Sequence, residues 1–142
     1  MAVRTSEAIW EGSLREGKGT MKLASGTYEG AFTWSSRFEE APGTNPEELV
    51  AAAHAGCFSM SLSSNLGKAG FTPRRIHTTS QVKIELVEGK NRITQIHLET
   101  EASVPGIDEA RFQEVAKYAK ENCPVSVALS SVPMTMNARL TS

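Results

Sequence analysis

The first third of the chain alternates apolar and polar positions, a pattern typical of β-strands. Residues 8–14 carry an apolar side chain or glycine at every second position, and residues 28–34 are rich in aromatic and β-prone types. Glycine-containing turn signals lie between them, at residues 16–19 and 25–26. The pattern predicts a small antiparallel sheet that ends near Arg37.

A long helix is predicted to follow this sheet. Asn45 is a good N-cap, Pro46 suits the first helical position, and Glu48 completes a spacing that resembles a capping box. We expect the helix to continue to about Leu66 and to stop at Gly67. It is apolar almost all round, so it should be a central helix buried on several sides, where a second chain could cover it.

The remaining pattern predicts two strands, a second helix and a closing strand. Alternating segments at residues 82–86 and 96–104 flank a turn at residues 88–91. A helix should begin near Asp108 and end at Pro124, with its core-facing positions spaced i, i+3, i+4: Phe112, Val115, Ala116, Ala119 and Cys123. Residues 125–132 are compatible with one or two further helical turns, and residues 134–140 alternate again. The length of 142 residues fits a single domain, residues 1–142.

Composition and charge exclude several classes of protein. The 142 residues have a formal net charge of −1 and no basic stripe, so a nucleic-acid partner is not expected. The longest uncharged stretch, residues 49–67, contains His54, Asn65 and several serines and therefore does not predict a membrane span. The first ten residues lack an apolar segment typical of a secretory signal. We expect a cytoplasmic location.

The two cysteines, Cys57 and Cys123, are the first candidates for chemistry. Both fall on inward helical faces and could be two inert core side chains, but in a reducing compartment a pair can also be redox-active or bind metal. A helix C-terminus disfavours a thiolate, which makes Cys123 the poorer candidate for first attack. Cys57 lies mid-helix and would need a cation from elsewhere in the fold.

Arg37 is the candidate cation, and Glu47 is the candidate acid that would orient it, with Glu48 as a second possibility. Each could instead have a plain role, as a solvated loop charge or a helix-capping acid. Glu47 and Cys57 are ten residues apart, or ~15 Å along a straight helix. Either the helix breaks after its first turn, or Glu47 serves a Cys57 on another chain. The apolar helix favours a homodimer with composite sites.

His54 and Cys57 share a helical face at i, i+3. Together with Cys123 and either His77 or His97 they could hold a metal ion, although no compact metal motif is present. A partly buried, hydrogen-bonded histidine is the competing interpretation.

Two segments carry a resemblance to a known family. Residues 43–49 (GTNPEEL) and 52–60 (AAHAGCFSM) resemble the first cysteine motif of the osmotically inducible protein C family, OsmC/Ohr. Residues 105–108 (PGID) and 122–126 (NCPVS) resemble its second motif, and the similarity extends over nearly the whole chain. The His-Ala-Gly stretch before Cys57 is typical of the OsmC branch and unlike the Ohr branch.

The resemblance implies an α+β, OsmC-like fold of two antiparallel sheets packed around two main helices, in an interlocked homodimer. It implies a thiol peroxidase that reduces organic hydroperoxides and hydrogen peroxide in oxidative or osmotic stress defence, without cofactor or metal. Cys57 would attack the peroxide and become a sulfenic acid, and Cys123 would close a disulfide. A dithiol reductant, such as a lipoylated protein, would reopen it. Arg37 and Glu47 would be the charge pair tuning Cys57, with Arg15 as the arginine that the Ohr branch would favour.

Two further expectations remain open at this level. Aromatic and methionine side chains could line an apolar pocket for an alkyl tail or could simply be core residues: Met21, Trp34, Phe38, Phe58 and Met60. The alternative function is a non-enzymatic stress protein that binds a small ligand or a metal. The sequence does not indicate the preferred peroxide, the reductant or the inducing stress.

Overall fold

A computed structural model describes residues 1–142 and contains six strands and four helices. Its contacts divide the chain into two units, Met1–Leu49 and Val50–Ser142, each with one three-stranded sheet. The boundary falls inside the long helix. Helices and sheets thus follow one another along the chain, which confirms the α+β class.

The first unit is built on an antiparallel sheet of β1 (Ser6–Glu11), β2 (Lys18–Leu23) and β3 (Glu29–Phe32), in that order. Gly19 of β2 pairs with Trp10 on one side and Phe32 on the other. The two aromatic rings lie 5.3 Å apart above it. A Cβ at this position would be 2.7 Å from both rings, so the contact between the two tilted rings requires glycine here.

The sheet ends earlier than predicted, because a short helix follows β3. The α1 helix (Trp34–Phe38) begins at Thr33, whose side chain accepts from the Ser36 N–H, while Ser36 Oγ accepts from the Thr33 N–H. This reciprocal capping box overrides the β-propensity of the aromatic stretch. Arg37 therefore lies between the last strand and the long helix, as expected, but on a short helix of its own.

The long helix α2 (Pro46–Lys68) begins as predicted, since Asn45 Oδ1 accepts from the Glu48 N–H at 2.8 Å. It continues past Gly67 and is unbroken throughout. Termination comes at Gly70, which has the left-handed φ of +92° that favours glycine, and the Phe71 N–H donates to the Leu66 carbonyl. The predicted stop was therefore early by one turn or less.

The second unit is built on a sheet of β4 (Arg75–Val87), β5 (Lys90–Ser103) and β6 (Met134–Leu140). The hairpin between β4 and β5 turns on Glu88 and Gly89, both with positive φ, as a two-residue turn requires. The β6 strand pairs with β5 in parallel, so this sheet is mixed rather than antiparallel as expected.

Two further helices connect β5 to β6: α3 (Glu109–Asn122) and α4 (Pro124–Ala128). Asp108 caps α3 as predicted, accepting from the Arg111 N–H. The core of this unit is formed by side chains from α2, β5 and α3: Phe58, Leu62, Leu66, Leu98, Ala102, Phe112, Val115, Ala116 and Ala119. No helix combines the length and the apolar character needed to span a membrane.

One face of α2 is not covered in the chain. Ala52, Ala53, Gly56 and Met60 are exposed, and Met60 keeps 77% of its surface accessible. The opposite face carries His54, Phe58 and other core positions. The helix is therefore buried on one side and apolar but open on the other.

Candidate active site

Cys57 lies in the middle of α2 and is half-buried, whereas Cys123 is fully buried between α3 and α4. Both are free thiols, and Cys123 acts directly on Cys57. Burial raises the pKa of the Cys57 thiol above its usual value, a hydrogen bond from the backbone N–H of Val125 opposes this, and the hydrogen bond and charge of Cys123 raise it again. The fold thus brings the two predicted cysteines together.

Cys123 occupies the ends of two helices at once. Its own N–H donates to the Ala119 carbonyl and closes α3, while its Sγ accepts from the Ser126 N–H at 3.3 Å and opens α4. The prediction that Cys123 experiences only the negative end of a helix is therefore wrong, because its sulfur faces the amide end of α4. Access still distinguishes the two thiols, since Cys57 is the one that solvent can reach.

A chain of hydrogen bonds leads from Cys123 to a buried histidine. Cys123 Sγ lies 3.0 Å from Ser126 Oγ, which lies 2.7 Å from His54 Nε2. Burial lowers the pKa of His54. Sequence reasoning missed Ser126, although its spacing of three residues after Cys123 matches the first turn of a capped helix. His54 itself is the predicted hydrogen-bonded histidine, more deeply buried than expected.

No set of three or more His, Cys, Asp and Glu side chains is grouped closely enough to hold a metal ion. His77 lies 3.8 Å from Glu101 on the sheet. His97 bonds Thr135 and Glu99. The ligand set suggested by the i, i+3 spacing of His54 and Cys57 is therefore not assembled.

Arg37 and Glu47 form a forked ion pair in the first unit. Nε of Arg37 lies 3.1 Å from both carboxylate oxygens, and Nη2 lies 2.6 Å from Oε1. Glu47 is buried, while its neighbour Glu48 accepts from Thr44 Oγ1 instead. Arg15 has no carboxylate partner, and its guanidinium lies over the Trp34 ring at 3.8 Å.

An apolar cavity of about 220 Å³ opens beside Arg37. Its lining comes from the first unit: Trp10, Leu14, Phe32, Thr33, Trp34, Arg37 and Phe38. Trp34 and Phe38 were expected to line such a pocket. Of the other three expected residues, Phe58 is a core side chain, Met60 is exposed on α2 and Met21 is partly buried on β2.

Comparisons with known proteins identify the family. The OsmC-like protein family matches residues 39–137, which include both cysteines. The chain belongs to this family. It is 46% identical over 129 residues to a protein of Escherichia coli K12 named peroxiredoxin OsmC, covering 90% of each chain.

Other OsmC-like relatives are more distant. An organic hydroperoxide resistance protein of Xanthomonas axonopodis pv. citri is 34% identical over 89 residues, covering 61% of this chain and 59% of that protein. The solved structure of an OsmC-like protein of unknown function from Vibrio cholerae aligns with a TM-score of 0.77 at 15% identity, covering 97% of this chain and 99% of that one. That similarity confirms the OsmC-like fold.

Proposed function

We propose that this OsmC-like protein is a two-cysteine thiol peroxidase that reduces organic hydroperoxides, and also hydrogen peroxide, in stress defence. The observation that carries the proposal is the pairing of an accessible thiol, Cys57, with a buried free thiol, Cys123, close enough to affect its pKa. The name peroxiredoxin OsmC, given to a relative with 46% identity, supports the same activity.

The chemistry follows from the two thiols. The Cys57 thiolate attacks one peroxide oxygen, the O–O bond breaks, and the alcohol or water leaves after taking up a proton. Cys57 is then a sulfenic acid. Cys123 Sγ attacks this sulfur, the S–O bond breaks, and water leaves as the disulfide forms. A dithiol reductant, for example a lipoylated protein, supplies the two electrons and two protons that restore both thiols.

Arg37 and Glu47 are proposed to supply the positive charge that Cys57 lacks. A guanidinium held by a buried carboxylate would stabilise both the thiolate and the charge developing on the leaving peroxide oxygen. Because α2 is unbroken, Glu47 and Cys57 are ~15 Å apart along its axis. We therefore propose a homodimer in which the pair serves the Cys57 of the second copy.

Two observations support the remaining parts of the proposal. The exposed apolar face of α2 offers a surface on which a second copy could pack. The aromatic cavity beside Arg37 would accommodate the alkyl portion of an organic hydroperoxide. We expect the enzyme to work in the cytoplasm, where dithiol reductants are available. The alternative, a metal-binding stress protein, lacks a grouped ligand set.

Intact-mass analysis under denaturing, non-reducing conditions tests the proposal. After one equivalent of an alkyl hydroperoxide, the reduced protein should lose two hydrogen atoms, and a peptide map should join the Cys57 and Cys123 peptides. Cys57→Ser should remain unmodified, whereas Cys123→Ser should retain a trappable sulfenic acid at Cys57. An unchanged mass with both thiols free would exclude the peroxidase and favour a binding function.

A further inference from the structure

Three buried side chains in the second unit form a continuous polar path that ends at the imidazole of His54. Cys123 and His54 have no accessible surface, and Ser126 retains 4%. The path runs over 3.0 Å from Cys123 Sγ to Ser126 Oγ and over 2.7 Å from there to His54 Nε2. Nδ1 of His54 is buried without a hydrogen-bond partner. The path therefore has one end at the sulfur and one end at the imidazole.

The direction of the path follows from counting protons. The Cys123 sulfur already accepts from the Ser126 N–H, and its own S–H donates to Ser126 Oγ. With the thiol hydrogen on Ser126 Oγ, the single hydrogen of the serine hydroxyl is available to His54 Nε2. In the tautomer that carries its proton on Nδ1, the neutral histidine accepts this hydrogen and stands at the end of a chain that starts at the thiol.

We propose that His54 is a positioning and proton-accepting residue for Cys123, and that it draws the thiol proton through Ser126 as Cys123 Sγ attacks oxidised Cys57. The inference rests on the proposed disulfide chemistry of Cys57 and Cys123. It concerns only the second half of the oxidative reaction, because the path does not include Cys57.

The step is balanced as follows. Cys123 Sγ forms a bond to Cys57 Sγ, and the Cys57 S–O bond breaks, releasing hydroxide. The Cys123 proton moves to Ser126 Oγ while the Ser126 proton moves to His54 Nε2, so the serine is unchanged. Hydroxide takes a proton from solvent to become water, and His54 returns its proton to solvent, so the net products are the disulfide, water and a neutral histidine. When a dithiol reductant reopens the disulfide, its two thiol protons restore the protons of Cys57 and Cys123.

The pH dependence of disulfide closure should reveal the histidine. The titratable groups at this junction are His54 and Cys57 from α2 and Cys123 from the connection between α3 and α4; the acids of the first turn of α2, Glu47 and Glu48, lie about two turns away along the helix. Burial lowers the pKa of His54, so the imidazole is neutral and able to accept a proton at pH 7. The rate of disulfide closure should be constant from neutral to alkaline pH and should fall only below the usual histidine range.

Quenched-flow experiments on the full-length reduced protein separate the two oxidative steps. Sulfenic acid at Cys57 is trapped with dimedone, and disulfide closure is followed by alkylation and mass analysis at each time point. His54→Gln retains a hydrogen-bonding amide but no base, and Ser126→Ala interrupts the path. Both should slow closure about 10²-fold at pH 7, the lower range for general base catalysis. Their closure rates should instead rise with pH, because hydroxide then takes the thiol proton that His54 no longer accepts.

Ser59→Ala is the matched control, because Ser59 lies on the same helix and donates to Thr78 Oγ1 at 2.8 Å, apart from this path. It should leave closure and its pH profile unchanged. Oxidation of Cys57 should be the same in all variants.

Equal closure rates and equal pH profiles for wild type and His54→Gln would overturn the role of His54, as would a defect confined to Ser126→Ala. If sulfenic acid forms in the wild type but no disulfide follows, both this inference and the resolving role of Cys123 fail. If Cys57 does not react with the peroxide at all, the proposed peroxidase function fails.

Discussion

The carboxylate of Glu47 accepts three hydrogen-bond contacts from one guanidinium, that of Arg37, across ten residues of sequence. Two short signals produce this geometry. The capping box of Thr33 and Ser36 makes a helix where a strand would continue, and Ser36 Oγ also donates to the Thr44 carbonyl, which holds the intervening loop. The pair is thus fixed by the first unit itself.

Replacing Glu47 with Gln should lower kcat/KM for an alkyl hydroperoxide about tenfold to a hundredfold. The amide cannot form the charged fork, so the guanidinium would no longer be held in one orientation. Steady-state peroxidase assays with a dithiol reductant measure this effect. Glu48→Gln is the control, because it removes an acid from the same helical turn but leaves the carboxylate that pairs with Arg37. Equal losses in the two variants would assign the effect to the helix start and not to the pair.

Met60→Lys should weaken self-association by at least about tenfold, corresponding to about 1.4 kcal/mol. A lysine on the open apolar face of α2 would have to be desolvated at the interface between two copies. Sedimentation velocity over a range of concentrations measures the change. Tyr118→Lys, on the exposed surface of α3, should leave the association unchanged. A wild-type protein that is monomeric at all concentrations would contradict the composite site.

His54 should make the folded state sensitive to mild acid. Because burial lowers its pKa, the unfolded chain binds a proton at this site at a higher pH than the folded chain does. Its contribution to stability is complete above about pH 6.5 and declines as the pH falls from there towards the lowered value. Urea midpoints at pH 7.5 and 5 should therefore differ more in the wild type than in His54→Gln.

The control for this measurement is His77→Gln, because His77 is exposed on the sheet. That variant should retain the wild-type difference between the two pH values. An identical pH response in His54→Gln and the wild type would show that the burial of His54 carries no proton linkage.

Cys123→Ala should shift the reactivity of Cys57 to lower pH. The hydrogen bond and the charge of Cys123 both raise the pKa of the Cys57 thiol, and the variant removes them, while burial continues to raise it. The rate of Cys57 alkylation by iodoacetamide, followed by mass analysis of its peptide across pH, measures the apparent pKa. A shift to higher pH would mean that Cys123 stabilises the Cys57 thiolate.

The elements with strong local signals were predicted from sequence. Asn45 and Asp108 cap their helices as expected, and the turn at Glu88 and Gly89 separates two alternating segments that form a hairpin. The short helix at Arg37 was missed because five residues provide too little periodicity to compete with an aromatic stretch. Parallel pairing of β6 was missed because alternation does not indicate the direction of a partner strand.

The residues proposed to carry the peroxide chemistry could be predicted from the sequence, whereas the polar path behind Cys123 could not. Cys57, Cys123, Arg37 and Glu47 were named from their residue types and from the family resemblance, and the structure brings each pair together. Ser126 lies in the second motif but was given no role, because serine near a helix start is common and only tertiary packing brings His54 to it. The position of Cys123 at the end of α3 and the start of α4 could not be predicted either, because Pro124 indicates the end of a helix more clearly than the start of the next one.

The parallel alignment of β5 and β6 has a consequence for the newly made chain. Leu98 pairs with Met136, so this sheet closes only after residues 134–140 have been made. Cys123 lies within the connection between these strands, and its position is therefore set late in synthesis. A growing polypeptide would carry Cys57 before its partner thiol is in place, so a sulfenic acid formed there during translation would have no internal thiol to close it.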